Sequence, residues 1–145
     1  MLKPNERISY LKTLYQRAKR ALESGNAREY ERLGESVYEK LREAWESAVE
    51  DVLLHGTVKR YVVNVHTGSL QDVEIAPDDH PRIEAGMSKC QRWCHNPPAA
   101  AGIPFPSPAA IEADIKALES FIDDLKKRAG NRRKQREAAR KTDVG

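Results

Sequence analysis

The chain is short of most features that mark the commoner enzyme and transport classes. It has only two cysteines, Cys90 and Cys94, spaced one helical turn apart. That spacing suits neither a secreted disulfide framework nor a paired Cys-x-x-Cys zinc knuckle. With His95 and His80 they lack the two ligand pairs that a zinc site needs, so no metal and no cofactor is expected and the thiols should pack as small apolar groups. No apolar run approaches the ~18 residues that a membrane span requires, and no charged-then-apolar leader opens the chain. A cytoplasmic protein without membrane contact is expected. No Gly-x-x-x-x-Gly-Lys-Ser/Thr occurs among the scattered glycines, so the chain should not bind or hydrolyse ATP by that route.

Aromatic residues make up 6% and hydrophobic residues 39% of the 145 residues. That is one domain's worth of chain with a modest core, which favours an elongated or partner-assisted helical fold. Charge is abundant but uneven. Residues 126–145 hold nine Lys/Arg against Glu137 and Asp143, a net +7, so within the overall +3 the remainder carries −4. A mildly acidic body is joined to a strongly basic end.

The periodicity is helical throughout. Asn5 can cap a first helix from residue 5 to 24 with Ile8, Leu11, Leu14, Tyr15, Ala18 and Leu22 on one face, and Gly25-Asn26 ends it in the left-handed manner. A second helix starts at Ala27 and carries Tyr30, Leu33, Val37, Leu41, Trp45, Ala48 and Val52 as far as Gly56. So short a connection makes the two antiparallel. Thr57 to Leu70 fits strand by propensity and one helical face by spacing; helix is preferred, because no second strand is available to pair. Asp78 or Asp79 caps a further helix with Pro81 in its first turn, running through Ile83, Met87, Cys90 and Cys94 until Pro97-Pro98. Ser107-Pro108 opens a last one bearing Ile111, Ile115, Leu118, Phe121, Ile122 and Leu125. These spans predict an all-α antiparallel bundle of four to five helices over residues 1–128. Residues 129–145 have no apolar stripe and are expected to form a frayed helix or a disordered basic tail.

One stretch has more to say. In LREAWESAVEDVLLHG, Leu41 to Gly56, the apolar residues gather on one side at ~100° per residue, while Arg42 and Glu46 sit about 130° from the middle of that stripe. The pair is expected to face solvent or a partner. As a surface ion pair it would contribute only about 0.3–0.5 kcal/mol, with Arg preceding Glu in the weaker order.

LREAWESAVEDVLLHGTVKRYVVNVHTGSL, then IEAGMSKCQRWCH, then IPFPSPAAIEADIKALESFI, resembles the C-terminal region of large bacterial AAA/ABC-type ATPases similar to the anticodon nucleases PrrC and RloC. The C-terminal parts of those nucleases are counted among the HEPN-type RNases. The likeness covers most of Ala27 to Lys127 without the ATPase part, and Met1 does not decide between a fragment and a free-standing protein. It implies phage defence, metal-independent cleavage of structured RNA such as tRNA, an ATPase partner and a homodimer. The matching catalytic positions are Arg42, Glu46 and His95. Two departures stand out: the family reads His-Asp after the cysteine helix where this chain has His95-Asn96, and the HEPN spacing Arg-x4–6-His is absent around Arg92-Trp93-Cys94-His95.

Under that reading His95 is general base or acid, Arg42 holds the phosphate, and Glu46 orients Arg42 or His95. Lys126, Lys127, Arg128, Arg132, Arg133, Lys134 and Arg136 supply salt-dependent phosphate contacts. If His95 is not the histidine, His55, His66 and His80 are the others. The rival is a non-catalytic helical module that dimerises or docks on an ATPase through Trp45, Tyr38 and Leu53. A third reading confines activity to nucleic-acid binding by Lys126–Lys141, although that segment lacks aromatic stacking groups.

Overall fold

The computed structural model describes residues 3–54, 73–94 and 102–143. Among them are four α-helices, α1 Pro4–Glu23, α2 Ala27–Ser47, α3 Asp79–Cys94 and α4 Pro108–Asp143, and no strand. The protein is an all-α bundle. The helix-or-strand choice over residues 57–70 lies outside the described residues.

Each helix starts where local chemistry allows. Pro4 takes the first turn of α1, and the Lys3 N–H donates to Glu6 Oε2 at 2.8 Å. Asn5, expected as the cap, lies inside the helix, where its Oδ1 accepts from Lys126 Nζ at 3.0 Å. Gly25 turns the chain with φ 84°, a conformation that needs no Cβ, and Asn26 caps α2 by accepting from the Glu29 N–H at 3.1 Å. Ser107 Oγ does the same for the Ala110 N–H at 3.2 Å, one residue before Pro108.

α1 and α2 pack antiparallel along their length, α3 lies against α2, and α4 closes the bundle against α1. The stripes predicted from sequence form the core, with two differences. Leu22 is 37% exposed, although Ala21 beside it packs against the core. Trp45, Tyr38 and Leu53, the candidate docking anchors, are 1%, 0% and 5% exposed and belong to the core, so they are not available to a partner. α2 is covered on more than one side, and its buried arc is therefore wider than a single stripe. Beyond Ser47 the chain continues as a π-helical turn, Ala48–Leu53, in which the Leu54 N–H reaches Val49 O at 2.9 Å.

An aromatic cluster ties the α3 terminus and the segment before α4 to α2. Phe105 meets Tyr30, Tyr38 and Trp93 with ring centroids 5.7, 6.4 and 5.3 Å apart. A Cβ at Gly34 would overlap the Phe105 ring, so glycine is what lets it lie down on α2. Tyr30 Oη donates to Pro106 O at 2.6 Å, and burial pushes its phenol pKa up to about 12.

Of the two forms expected for the basic end, the residues up to Asp143 take the helix. α4 runs unbroken across residue 128 to Asp143, although Leu125 is its last buried apolar residue. The reason is cooperativity. A helix already nucleated by packing propagates through good helix formers such as NRRKQREAARK without any stripe to bury. Arg133–Glu137 and Glu137–Lys141 also stand at helix-supporting i,i+4 spacing.

Candidate functional site

Arg42 and Glu46 lie on α2, both partly buried. The pair expected to face solvent or a partner thus keeps part of its exposure at both residues. The charge of Arg42 acts on the thiols of both Cys90 and Cys94 on α3, the helix that lies against α2. Sequence periodicity saw the α2 stripe but not the second helix laid across its flank.

The seam between α2 and α3 is built from two residue sets. From α3, Cys90 is fully buried and Cys94 partly so. Burial pushes the Cys90 thiol up to about 12, with Cys94 and Asp114 adding to the shift and Arg42 opposing it. Burial likewise raises the Cys94 pKa, opposed by Arg42 and reinforced by Glu39 and Glu35. Both sulfurs therefore stay protonated near neutral pH and are poor nucleophiles. From α2, Arg32, Glu35, Ser36 and Glu39 line an open groove of about 290 Å³ together with Cys94. Arg32 Nε donates to Glu29 Oε2 at 2.9 Å, so its charge is already shared.

Of the histidines, His95, His55 and His66 lie outside the described residues. His80 is described: it is exposed near the start of α3, with Nδ1 3.6 Å from Glu84 Oε2. Fourteen residues of α3 separate it from Cys94, about 21 Å at the helical rise, so His80 does not share the Cys94 end of that seam. In sequence, His95 directly follows Cys94.

The seven basic residues named for nucleic acid divide. Arg128 is committed to the bundle: its NH1 and NH2 donate to Asp79 Oδ2 and Oδ1 at 2.7 and 3.0 Å. Lys126 is bonded to Asn5 across from α1. Lys127, Arg133 and Lys134 are exposed along α4, and Arg132 and Arg136 are partly buried.

Two groups escaped the sequence reading. Asp79 is fully buried, and Asp114 is 9% exposed with Oδ2 accepting from Tyr38 Oη at 2.6 Å and Oδ1 from Lys89 Nζ at 2.7 Å. Asp114 did carry a signal, since it falls inside the Ile111–Ile115–Leu118 stripe, where a carboxylate survives only with partners. Asp114 and Lys89 also help line a cleft of about 250 Å³ over Trp45. No described helix is long and apolar enough to cross a membrane. No family model, no curated protein and no solved structure matches the chain.

Proposed function

We propose that this bundle is a HEPN-like, metal-independent endoribonuclease domain acting on structured RNA, tRNA being the first candidate, in a phage-defence system with an ATPase partner. The observation that carries the reading is that the charge of Arg42 acts on the thiol of Cys94, the residue that precedes His95 in sequence. The resemblance of the Leu41–Leu70 segment and the cysteine helix to anticodon-nuclease relatives supplies the chemistry. The loss of Trp45, Tyr38 and Leu53 to the core removes the anchors on which a purely docking role depended.

In this mechanism His95 takes the proton of a ribose 2′-hydroxyl, and the 2′-oxygen attacks the adjacent phosphorus. The bond from phosphorus to the 5′-oxygen breaks, and a protonated acid returns a proton to that leaving oxygen, giving a 2′,3′-cyclic phosphate and a 5′-hydroxyl. Arg42 holds the phosphate as charge develops on it, and Glu46 orients Arg42 or His95. HEPN-type sites are commonly completed across a dimer, and a homodimer is part of the proposal. Glu35 and Glu39 stand close enough to Cys94 to raise its pKa, and they oppose a phosphate there. The attraction for RNA therefore falls to the basic face of α4, through Lys127, Arg133 and Lys134 with Arg132 and Arg136, and should weaken steeply with salt.

The test is cleavage of a tRNA pool in the presence of a metal chelator, with products resolved on a gel. Arg42→Ala, Glu46→Ala and His95→Ala should each slow cleavage by about 10²-fold or more while helical circular dichroism is unchanged. RNA left intact by the parent protein, or variants that cut as fast as the parent, sinks the proposal.

A further inference from the structure

The cleft of about 250 Å³ lies between α3 and α4, with α2 as its floor. Leu41 and Trp45 form that floor, Ala85 and Ala117 are short exposed walls, and Arg82, Lys89, Asp114 and Ser120 supply polar groups. Three features set it apart from a packing gap. Trp45 is 1% exposed, yet its Nε1 finds no hydrogen-bond acceptor among the described residues. A buried indole N–H usually has a partner. The lining residue Gly86 sits over the same edge of the indole, where any Cβ would overlap Cε2, Cζ2 and Nε1, so the α3 backbone lies directly against the cleft floor there. Finally, a buried carboxylate and an ammonium stand side by side at the wall: Lys89 Nζ is 2.7 Å from Asp114 Oδ1, and the side chains are 61% and 10% exposed.

That couple has hydrogen-bonding capacity left. The bond to Asp114 uses one of the three N–H donors of Lys89, and each Asp114 oxygen can accept more than once. A ligand that suits both offers an N–H to the carboxylate and, next to it, a carbonyl to the ammonium. Apart from Arg82 and Ser120 the rest of the lining is apolar, and the volume lies just under the ~300–1,000 Å³ usual for drug-sized ligands, so the occupant is one ring system. We propose that the α3–α4 cleft binds a single flat heterocycle with adjacent N–H and C=O groups, the lactam edge of a nucleobase. Lys89 and Asp114 read that edge, and the ring lies over Leu41 and Trp45. The base can arrive as a free nucleoside or as an unstacked base of single-stranded RNA. Neither case requires the chain to cleave RNA, because neither Arg42 nor Glu46 lines the cleft.

The experiment is isothermal titration calorimetry of the full chain with inosine and uridine, which carry the lactam edge, and with 1-methylinosine and 3-methyluridine, in which a methyl group replaces its N–H. Inosine and uridine are expected to bind at least about tenfold more tightly than the other two, the discrimination that a well-placed pair of hydrogen bonds supplies. Ala117→Leu, at an exposed helical position that tolerates leucine, fills the cleft and should abolish binding; Lys89→Met should weaken it and erase the preference. If a single-stranded uridine oligonucleotide binds more tightly than uridine, and Ala117→Leu removes the difference, RNA is the source. Equal affinity per base identifies the free nucleoside. No binding of inosine or uridine, equal binding of all four nucleosides, or binding that survives Ala117→Leu overturns the proposal. These readouts are independent of cleavage, so failure of the nuclease reading and failure of this one are distinguishable.

Discussion

Trp45→Ala is expected to lower the unfolding free energy by about 3–5 kcal/mol, the usual cost of truncating a large buried aromatic side chain. Its ring centroid lies 5.2 Å from that of Phe121 on α4, its indole edge underlies Gly86 on α3, and only 1% of the residue is exposed. One side chain therefore joins α2, α3 and α4, and alanine leaves a void that three helices cannot all move to fill. A domain of this size is stable by only about 5–15 kcal/mol, so the variant should show an equilibrium urea midpoint far below the parent's. An unchanged midpoint would mean that Trp45 is not in the core. It would also restore the alternative in which Trp45 anchors a partner, where alanine weakens association and leaves the isolated chain's stability alone.

Arg128→Leu should be comparably damaging, by about 3–5 kcal/mol, because it leaves a buried carboxylate without its countercharge. Asp79 is fully buried, and its Oδ2 also accepts from the Ala76 N–H at 2.7 Å, while Arg128 additionally holds Glu74 O at 3.0 Å. The pair thus fastens α4 to the start of α3 and the residues just before it. The double variant Asp79→Ala/Arg128→Leu should be less unstable than the sum of the two single changes by about 0.5–3 kcal/mol, which a double-mutant cycle in urea measures. The same contact predicts an acid limb. The hydrogen bonds from Arg128, opposed by burial and aided by the Ala76 N–H, hold the Asp79 pKa below its ordinary value. The folded form therefore binds its proton later than the unfolded chain does as pH falls. The stabilisation is complete above about pH 4, the unfolded aspartate value, and is lost as pH drops through the lower folded-state value. Stability measured from pH 6 down to pH 2 should show that loss in the parent and less of it in Arg128→Leu. Identical acid limbs in the two proteins would refute this role for the pair.

The helices were legible because their signals are local. Gly25-Asn26, Asp78-Asp79 and Ser107-Pro108 are boundary chemistry that acts within one turn, and the stripe Ile111, Ile115, Leu118, Phe121, Ile122, Leu125 is buried as its spacing implies. The basic end left a frayed helix and a disordered tail both open because it has nothing to bury; its helix follows from the packed segment before it, which no window confined to that end contains. The candidate site was half legible. Arg42 and Glu46 stand out at i,i+4 on the flank of an apolar stripe, but periodicity on one helix cannot say that the charge of Arg42 acts on cysteines of α3. Arg128 looked like one cation among nine, and nothing nearby in sequence announces Asp79 as its partner.

The sequence by itself determined that the chain is helical, where most of its helices begin, which residues form their apolar faces, and that positive charge collects at one end. All of these follow from interactions within a few residues, whose geometry the backbone dictates. Only the tertiary structure decided that the charge of Arg42 acts on two cysteines and that Arg128 is structural. It also decided that Asp114, Lys89 and Trp45 share one cleft. Those groups come from helices separated by tens of residues, and burial and electrostatic pairing act on what is adjacent in space, whatever its distance along the chain.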